Sequence, residues 1–248
     1  MPIQVKFGVA AFVVACVSAQ ASSVDELITK NLDARGGAAK IQAVKTLKTD
    51  GKLLFGGQFE LAFTQYQKAP SSVRSEASLQ GLTAVQAWDG KEAWQISPFQ
   101  GRKDPEKMTI EDAKALADDA PIGGQLLDWQ ARGSKVEYLG TEDVDGTDAH
   151  KLKVTLKNGD IEYLYLDPDH FLEIRTVAQR SVRGTQIETV NDYGDYEQVD
   201  GVYFPFSIAT ENKADGSRQQ TTIEHAQANV EIDDAVFAFP VAKQGVGK

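Results

Sequence analysis

The feature that most constrains the fold is a series of Asp-Gly and Asn-Gly pairs that separate short runs of alternating apolar and polar residues. The pairs begin at Asp50, Asp89, Asp145, Asn158, Asp200 and Asp215. Such pairs accommodate the positive φ angles that two-residue hairpin turns require. Serial hairpins predict an antiparallel meander, in which consecutive strands pair with one another.

The runs between these turns have the two-residue period of strands with one buried face. In the stretch QFELAFTQYQK, for example, Phe59, Leu61 and Phe63 fall on one face. The pattern predicts about eleven or twelve strands over residues 47–230. A single antiparallel sheet of that size must curl, because strands twist. The predicted fold class is therefore mainly β with a few helices (α+β).

Two helical regions accompany the strands. Ser23-Val24-Asp25-Glu26 has the form of a capping box, and the helix it begins is predicted to end at Gly36-Gly37. A short second helix is predicted over residues 38–43. A mid-chain insertion predicts a helix over residues 109–118 and another over residues 125–131. An insertion between hairpins must lie across a sheet face or a barrel mouth, so it is the candidate lid.

The N-terminal stretch MPIQVKFGVAAFVVACVSAQA has the features of a signal peptide. Lys6 precedes an apolar run, and Ala19-Gln20-Ala21 forms a small-x-small cleavage site. We expect residues 1–21 to be removed on export and residues 22–248 to form a single domain. An alternative is that Val13-Val14-Ala15-Cys16 is a lipobox, in which case Cys16 is lipidated and anchors the protein to the outer membrane.

Charge and motif content restrict the function. The formal net charge of -10 argues against nucleic acid as the main partner, since binding it relies on Lys and Arg. His150, His170 and His225 are scattered without metal-ligand spacing, and the common catalytic and nucleotide-binding motifs are missing from the sequence. We therefore expect no enzyme activity, no metal and no cofactor. A hydrolase built from dispersed histidines and aspartates is the alternative.

Several stretches of the sequence resemble a known family. DGKEAWQISPF, from Asp89 to Phe99, resembles the Asp-Gly-Lys-x-x-Trp-x-x-x-Pro-Phe stretch of LolA/LolB-like outer membrane lipoprotein-sorting proteins. VFAFP followed by QGV is similar to the C-terminal end of these periplasmic carriers, and YLDPDHFLEIR and DYEQVDGVYFPFSI resemble a wider set of them. The resemblance covers most of the chain. It implies an unclosed β-barrel with a helical lid, whose apolar concave face shelters acyl chains.

The function that the resemblance implies is a periplasmic carrier or chaperone for lipid or lipoprotein acyl chains. Its implied partners are an inner-membrane transporter and an outer-membrane receptor. Alternatives on the same fold are an envelope-stress sensor or interaction domain, and an outer-membrane lipoprotein receptor if Cys16 is lipidated. The expected ligand wall consists of eight apolar side chains from strands and lid: Phe59, Leu61, Phe63, Trp94, Ile96, Leu126, Leu127 and Trp129.

One position departs from the family pattern. The carriers commonly have Lys-Arg-Pro at the end of an early strand, and the arginine helps to hold the lid. Here the corresponding stretch is Lys68-Ala69-Pro70. Control of the lid by that arginine is therefore not carried over to this chain.

Overall fold

A computed structural model describes residues 23–240. The predicted signal peptide, Cys16 and the QGV stretch lie outside the described residues. The described chain forms three α-helices and one 13-stranded sheet. The helices are α1 (Val24–Ala34), α2 (Ala38–Ala43) and α3 (Ile110–Asp119). The strands are β1 (Thr46–Phe55), β2 (Phe59–Lys68), β3 (Ser72–Leu79), β4 (Leu82–Trp88), β5 (Ala93–Ser97), β6 (Arg102–Lys107), β7 (Lys135–Val144), β8 (Thr147–Thr155), β9 (Ile161–Leu166), β10 (Glu173–Val182), β11 (Thr185–Val199), β12 (Val202–Asn212) and β13 (Arg218–Ala228).

The sheet is an antiparallel meander in two halves. Strands β1 to β6 pair in chain order, strands β7 to β13 do the same, and β1 pairs with β13 to join the halves. The sheet edges are therefore β6 and β7, which follow each other in the chain but do not pair. The barrel is unclosed, and α3 lies in the connection between its two edges. This confirms the predicted fold class of a curled antiparallel sheet with a helical lid.

Five of the six predicted hairpin pairs lie in the turns between consecutive strands. The exception is Asp50-Gly51, which we expected to form a turn but which lies inside β1 at a register shift against β13. A side chain at Gly51 would place its Cβ 2.0 Å from the carbonyl oxygen of Thr222. Glycine is thus required here because the backbone of β13 approaches closely.

Capping residues position α1 as predicted. The Ser23 hydroxyl accepts a hydrogen bond from the backbone N–H of Glu26 at 3.1 Å, which satisfies one of the free donors at the helix start. Leu27 and Ile28 on the inner side of the helix are buried. After the helix, Gly36 has a φ of 116°, and a Cβ at this position would lie 2.3 Å from the carbonyl oxygen of Gly201.

The mid-chain insertion follows the prediction only in its first half. Thr109 caps α3, its hydroxyl accepting from the backbone N–H of Asp112 at 3.2 Å. The second predicted helix, over residues 125–131, is wrong: residues 122–133 form a series of turns. Asp128 has a φ of 53°, in the left-handed region that interrupts a helix. The sequence pattern also missed β6, because its RKDPEK sequence is polar and largely exposed.

Two buried clusters fill one end of the concave side of the sheet. In the first, Ile41 of α2 packs with residues of β1, β12 and β13 and with Ile122. In the second, Leu27 and Ile28 of α1 pack with β8, β9 and Leu126. The turn segment after α3 thus contributes to both clusters. Within residues 23–240, no helix is long and apolar enough to cross a bilayer.

Candidate ligand-binding cavity

A cavity of about 730 Å³ lies between the concave face of the sheet and α3. This volume falls within the roughly 300–1,000 Å³ of pockets that bind small organic ligands. The strand register defines its wall, because side chains of one face recur at every second position. Phe63 of β2 pairs with Gly51 of β1 and Ala77 of β3, and Ala77 pairs with Ala84 of β4.

One part of the cavity wall is apolar. From β1 to β4 it presents Leu53 and Phe63 beside two alanines, and from β12 and β13 it presents Ile208 and Ile223. The lid adds the side chains of Ala115 and Leu116 opposite this wall. An apolar chain that enters here is removed from water on both sides.

A row of polar side chains crosses the other part of the wall. Thr176, Asn191, Thr210 and Gln219 are successive partners across β10 to β13. The Asn191 amide donates to the Thr176 hydroxyl at 3.3 Å, and the Thr210 hydroxyl donates to the Asn191 carbonyl oxygen at 2.8 Å. The Tyr193 hydroxyl lies 3.1 Å from the Thr176 hydroxyl. Mutual hydrogen bonds let Thr176, Asn191 and Thr210, with Tyr193 beside them, line the cavity.

Every charged residue among the described cavity-lining residues is acidic. Four of them have an arginine partner: Glu76 with Arg74, Asp112 with Arg183, and Asp118 and Asp119 with Arg180. The other two, Glu162 and Glu173, form no ion pair within residues 23–240. The Oε2 atom of Glu162 and the Oε1 atom of Glu173 are buried without a hydrogen-bond partner in this part of the chain.

Burial raises the pKa of Glu162 to about 8, with the neighbouring Asp119 adding to the effect and Arg180 opposing it. Burial also raises the pKa of Glu173, while Arg35 lowers it. Removing a carboxylate from water disfavours its charged form. At neutral pH, Glu162 is therefore mostly protonated and can donate a hydrogen bond as well as accept one.

Polar contacts on two sides hold α3 over the cavity. On β10, Arg180 donates to Asp118 at 3.0 Å and to Asp119 at 2.9 Å, and the Lys114 ammonium donates to the Ser181 carbonyl oxygen at 2.6 Å. On β2, the Gln67 amide donates to the carbonyl oxygen of Ala120 at 3.3 Å. The buried arginine that contacts the lid is thus on β10, and the exposed Arg183 after this strand pairs with Asp112 of α3.

Lys68 and Ala69, which correspond to the Lys-Arg pair of the carriers, make contacts other than those of Arg180. The Lys68 ammonium donates to the carbonyl oxygen of Ile232 at 2.9 Å and forms an ion pair with Asp234 at 2.6 Å. The backbone N–H of Ala69 donates to the carbonyl oxygen of Lys45. Lys68 therefore contacts the C-terminal segment, whereas the neighbouring Gln67 contacts the end of α3.

Two of the eight predicted wall residues, Phe63 and Ile96, line the cavity. Leu61 is buried and pairs with the cavity-lining Leu53 in the neighbouring strand. Phe59 lies at the end of β2 and is 56% exposed. The ligand-binding role of these four residues stays a prediction.

Trp94 lies on the face of the sheet opposite to the one we expected. It pairs with Ala87, whereas the adjacent Gln86, on the other face, lines the cavity. The indole Nε1 donates to the carbonyl oxygen of Phe237 at 2.8 Å, and the Arg74 guanidinium stacks 5.2 Å from the indole. The alternation of β5 directs the Trp94 side chain away from the cavity. The C-terminal segment covers it there. Ile96 borders the cavity but also packs against the Trp94 cluster.

The three predicted lid residues pack in the two buried clusters. Leu126 is 1% exposed beneath α1, and Trp129 packs against the same cluster. Leu127 packs against the cluster around α2. These side chains hold the turn segment to the sheet, and their contact with a ligand stays a prediction.

The acidic residues of the cavity were missed by sequence analysis. A signal for Glu162 exists, since it shares the buried face of β9 with Leu164 and Leu166 in the stretch IEYLYL. A charged residue at an apolar position of a strand is uncommon without a partner or a role. Glu173, at the start of β10, has no comparable pattern.

The histidines do not converge on a site. His150 lies 3.0 Å from the Tyr138 hydroxyl and stacks on Phe171, while His170 is bonded to Asp167. Within the described residues, no group of three or more His, Cys, Asp or Glu side chains is arranged to hold a metal ion.

Comparison with known proteins supports the architecture. No protein-family model matches the sequence, and no curated protein matches it. Among solved structures, a DUF1329 family protein from Desulfovibrio piger has 13% identity over 85% of this chain and 97% of its own, with a TM-score of 0.57. A LolA superfamily protein from Nitrosomonas europaea has 13% identity over 88% and 98%, with a TM-score of 0.57.

A third structure carries a functional description. It is a domain from Vibrio parahaemolyticus assigned to the outer membrane lipoprotein-sorting proteins, with 10% identity over 85% of this chain and 97% of that one, and a TM-score of 0.55. These similarities extend over nearly the whole length of each solved chain. Residues 23–240 therefore adopt the LolA-like fold, an unclosed antiparallel β-barrel with a helical lid.

Proposed function

We propose that this protein is an envelope carrier that shelters the apolar chain of a lipid or lipoprotein between its concave sheet and α3. The observation that carries the proposal is the cavity of about 730 Å³, one part of whose wall is apolar. The similarity in fold to a domain assigned to lipoprotein sorting supports it. The role is binding and release in the periplasm, without chemical conversion of the ligand.

The energy for such binding comes from removing apolar surface from water. Each buried CH₂ group contributes about 0.8 kcal/mol. Eight methylenes against Leu53, Phe63 and Ile208 would contribute roughly 6 kcal/mol before the cost of ordering the chain is subtracted. Because association costs at least about 4 kcal/mol, the net gain for eight methylenes is small, and a longer chain gains more. Binding of this strength permits release to a membrane acceptor.

The lid arrangement is consistent with entry and exit of a chain. Among the described residues, α3 contacts the sheet mainly through polar groups, such as Arg180 and Lys114. The exposed pair of Arg183 with Asp112 can exchange with water at modest cost, and opening of α3 must also break the buried pair of Arg180 with Asp118. The two apolar clusters hold α1 and α2 instead. We therefore assign opening to α3 and the frame of the cavity to the remainder of the barrel.

The test is recovery of bound lipid from the exported protein, measured by native mass spectrometry and lipid extraction. Wild-type protein is expected to carry alkyl-chain lipid, and Phe63→Gln, in the apolar wall, is expected to lose most of it. Leu139→Gln is the control, because Leu139 is 49% exposed and lies outside the cavity lining. Thermal unfolding confirms that both variants fold. Wild-type protein that carries no lipid and excludes a fluorescent alkyl probe would contradict the proposal.

A further inference from the structure

We propose that the cavity selects amphiphiles with a cationic head group, of the class of alkyl primary amines, and that the Glu162 carboxyl receives the ammonium. This inference rests on the proposed function, because it concerns the polar end of a ligand whose tail occupies the apolar wall. It concerns the head group alone and leaves the length and branching of the tail open.

The charges of the cavity favour a cation. Its lining contains six acidic side chains and, within the described chain, no lysine, arginine or histidine. Arginines outside the lining neutralise Glu76, Asp112, Asp118 and Asp119. Glu162 and Glu173 remain without such a partner in residues 23–240, so the cavity has an excess of acidic groups at one end.

Glu162 is the better placed of the two. It pairs with Ala178 across β9 and β10, is only 7% exposed, and lines the cavity. Its Oε2 atom has no hydrogen-bond partner among residues 23–240. The nearby Arg180 uses Nε and Nη2 on Asp118 and Asp119. A buried polar group without a partner costs free energy. A rotation of the Glu162 carboxyl would turn Oε2 toward a ligand donor in the cavity and remove that cost.

An ammonium group matches the chemistry beside Glu162. It has three donors and no acceptor. The carboxyl can take one donor, and the hydroxyl oxygens of Thr176 and Tyr193 line the same cavity. Glu162 is mostly protonated while the cavity is empty, but an ammonium beside it favours the charged form of the carboxyl. Hydrogen bonds between an ammonium and the carboxylate so formed are stronger than those between neutral groups. A carboxylate or phosphate head group would instead meet acidic side chains, which repel it.

The polar end and the apolar end of the cavity are arranged for one amphiphile. Leu164 is two residues from Glu162 on the same face of β9, and it pairs with Thr176 of the polar row. The apolar wall of Leu53, Phe63 and Ile223 lies across the sheet, on β1, β2 and β13. An ammonium at Glu162 therefore directs its alkyl chain toward the apolar wall.

The experiment compares three probes with the same 12-carbon tail: dodecylammonium, dodecanol and dodecanoate, each below its micelle-forming concentration. Isothermal titration at pH 7 is expected to give dodecylammonium at least a tenfold lower Kd than dodecanol, and dodecanoate the weakest binding. Glu162→Gln is expected to abolish the preference for the ammonium while keeping dodecanol binding. Glu60→Gln is the matched control, because Glu60 has a 63% exposed side chain outside the cavity, and it should retain the preference.

The outcomes separate the two proposals. Equal binding of the three probes would overturn head-group selection and leave alkyl-chain binding in place. Failure of all three to bind would contradict the proposed function itself. A preference for dodecylammonium that persists in folded Glu162→Gln but not in Glu173→Gln would overturn the assignment to Glu162.

Discussion

The Nε atom of Arg180 donates a hydrogen bond to Oδ2 of Asp118 at 3.0 Å, and both side chains are only 9% exposed. This buried ion pair joins β10 to α3. The same guanidinium donates from Nη2 to Asp119 at 2.9 Å. One arginine of β10 therefore contacts two successive carboxylates at the end of the lid.

Replacing Arg180 with methionine should destabilise the protein and loosen α3. The substitution leaves Asp118 buried without its partner, and loss of one member of a buried ion pair costs about 3–5 kcal/mol. We expect a loss of about 3 kcal/mol in the free energy of unfolding, measured by urea titration. Hydrogen exchange of the α3 amides should also accelerate more than that of the α1 amides.

Arg183→Met is the control for this substitution. Arg183 also pairs with a carboxylate of α3, Asp112, but its side chain is 67% exposed. Exposed ion pairs contribute about 0–1 kcal/mol. Equal losses for the two variants would show that Arg180 has no special part in holding the lid.

Trp94→Phe should release the C-terminal segment from the outer face of the sheet. The change removes the hydrogen bond to the Phe237 carbonyl and leaves that carbonyl without its partner. Such a loss costs about 1–3 kcal/mol. We expect a decrease of about 2 kcal/mol in stability and faster chymotrypsin cleavage near Phe237. The half-buried Trp88, changed to Phe, should show a smaller decrease and unchanged cleavage; the opposite order would refute the anchoring role.

The stability of the protein should depend on pH through Glu162. Burial raises the folded-state pKa of this group to about 8, above the ordinary value of 4.5. Between these two values the folded state binds the extra proton, so the free energy of unfolding decreases as pH rises from about 4.5 to 8. The charged groups that act on it are Asp118, Asp119, Glu173, Arg180 and Arg132.

Glu162→Gln removes this dependence without changing the shape of the side chain. We expect the variant to be more stable than wild type at pH 8, by roughly 2–4 kcal/mol, and close to wild type at pH 5. Urea unfolding at both pH values gives the comparison. A stability difference that is the same at pH 5 and pH 8 would contradict a raised pKa.

The architecture was predictable because hairpin turns and alternation are local signals. Asp145-Gly146 and Asn158-Gly159, for example, lie in the turns where the pattern places them. Asp50-Gly51 shows the limit of a local signal. The same kind of dipeptide lies at a register shift inside β1, where the backbone of β13 packs against it. The edge strand β6 has no alternation, because neither of its faces is buried.

The cavity was harder to predict than the sheet. Alternation shows that Trp94 and Gln95 point to opposite faces of β5. Which of the two faces is concave follows only from the pairing of β5 with β4. Leu126 is apolar whether it contacts a ligand or a core, and burial beneath α1 is a tertiary property. Glu162 was visible as a charged residue on an apolar strand face, yet its lack of a partner is seen only in three dimensions.

The central claim is that an alkyl chain occupies the space between the concave sheet and α3, and methyl NMR with a paramagnetic chain tests it directly. A 16-carbon alcohol with a nitroxide near its tail would be added to protein with labelled Leu and Ile methyl groups. We expect the methyl signals of Leu53, Ile208 and Ile223 to broaden strongly, while those of Leu152 and Leu166 beneath α1 remain sharp. Broadening confined to exposed residues such as Leu82 and Leu139 would contradict it.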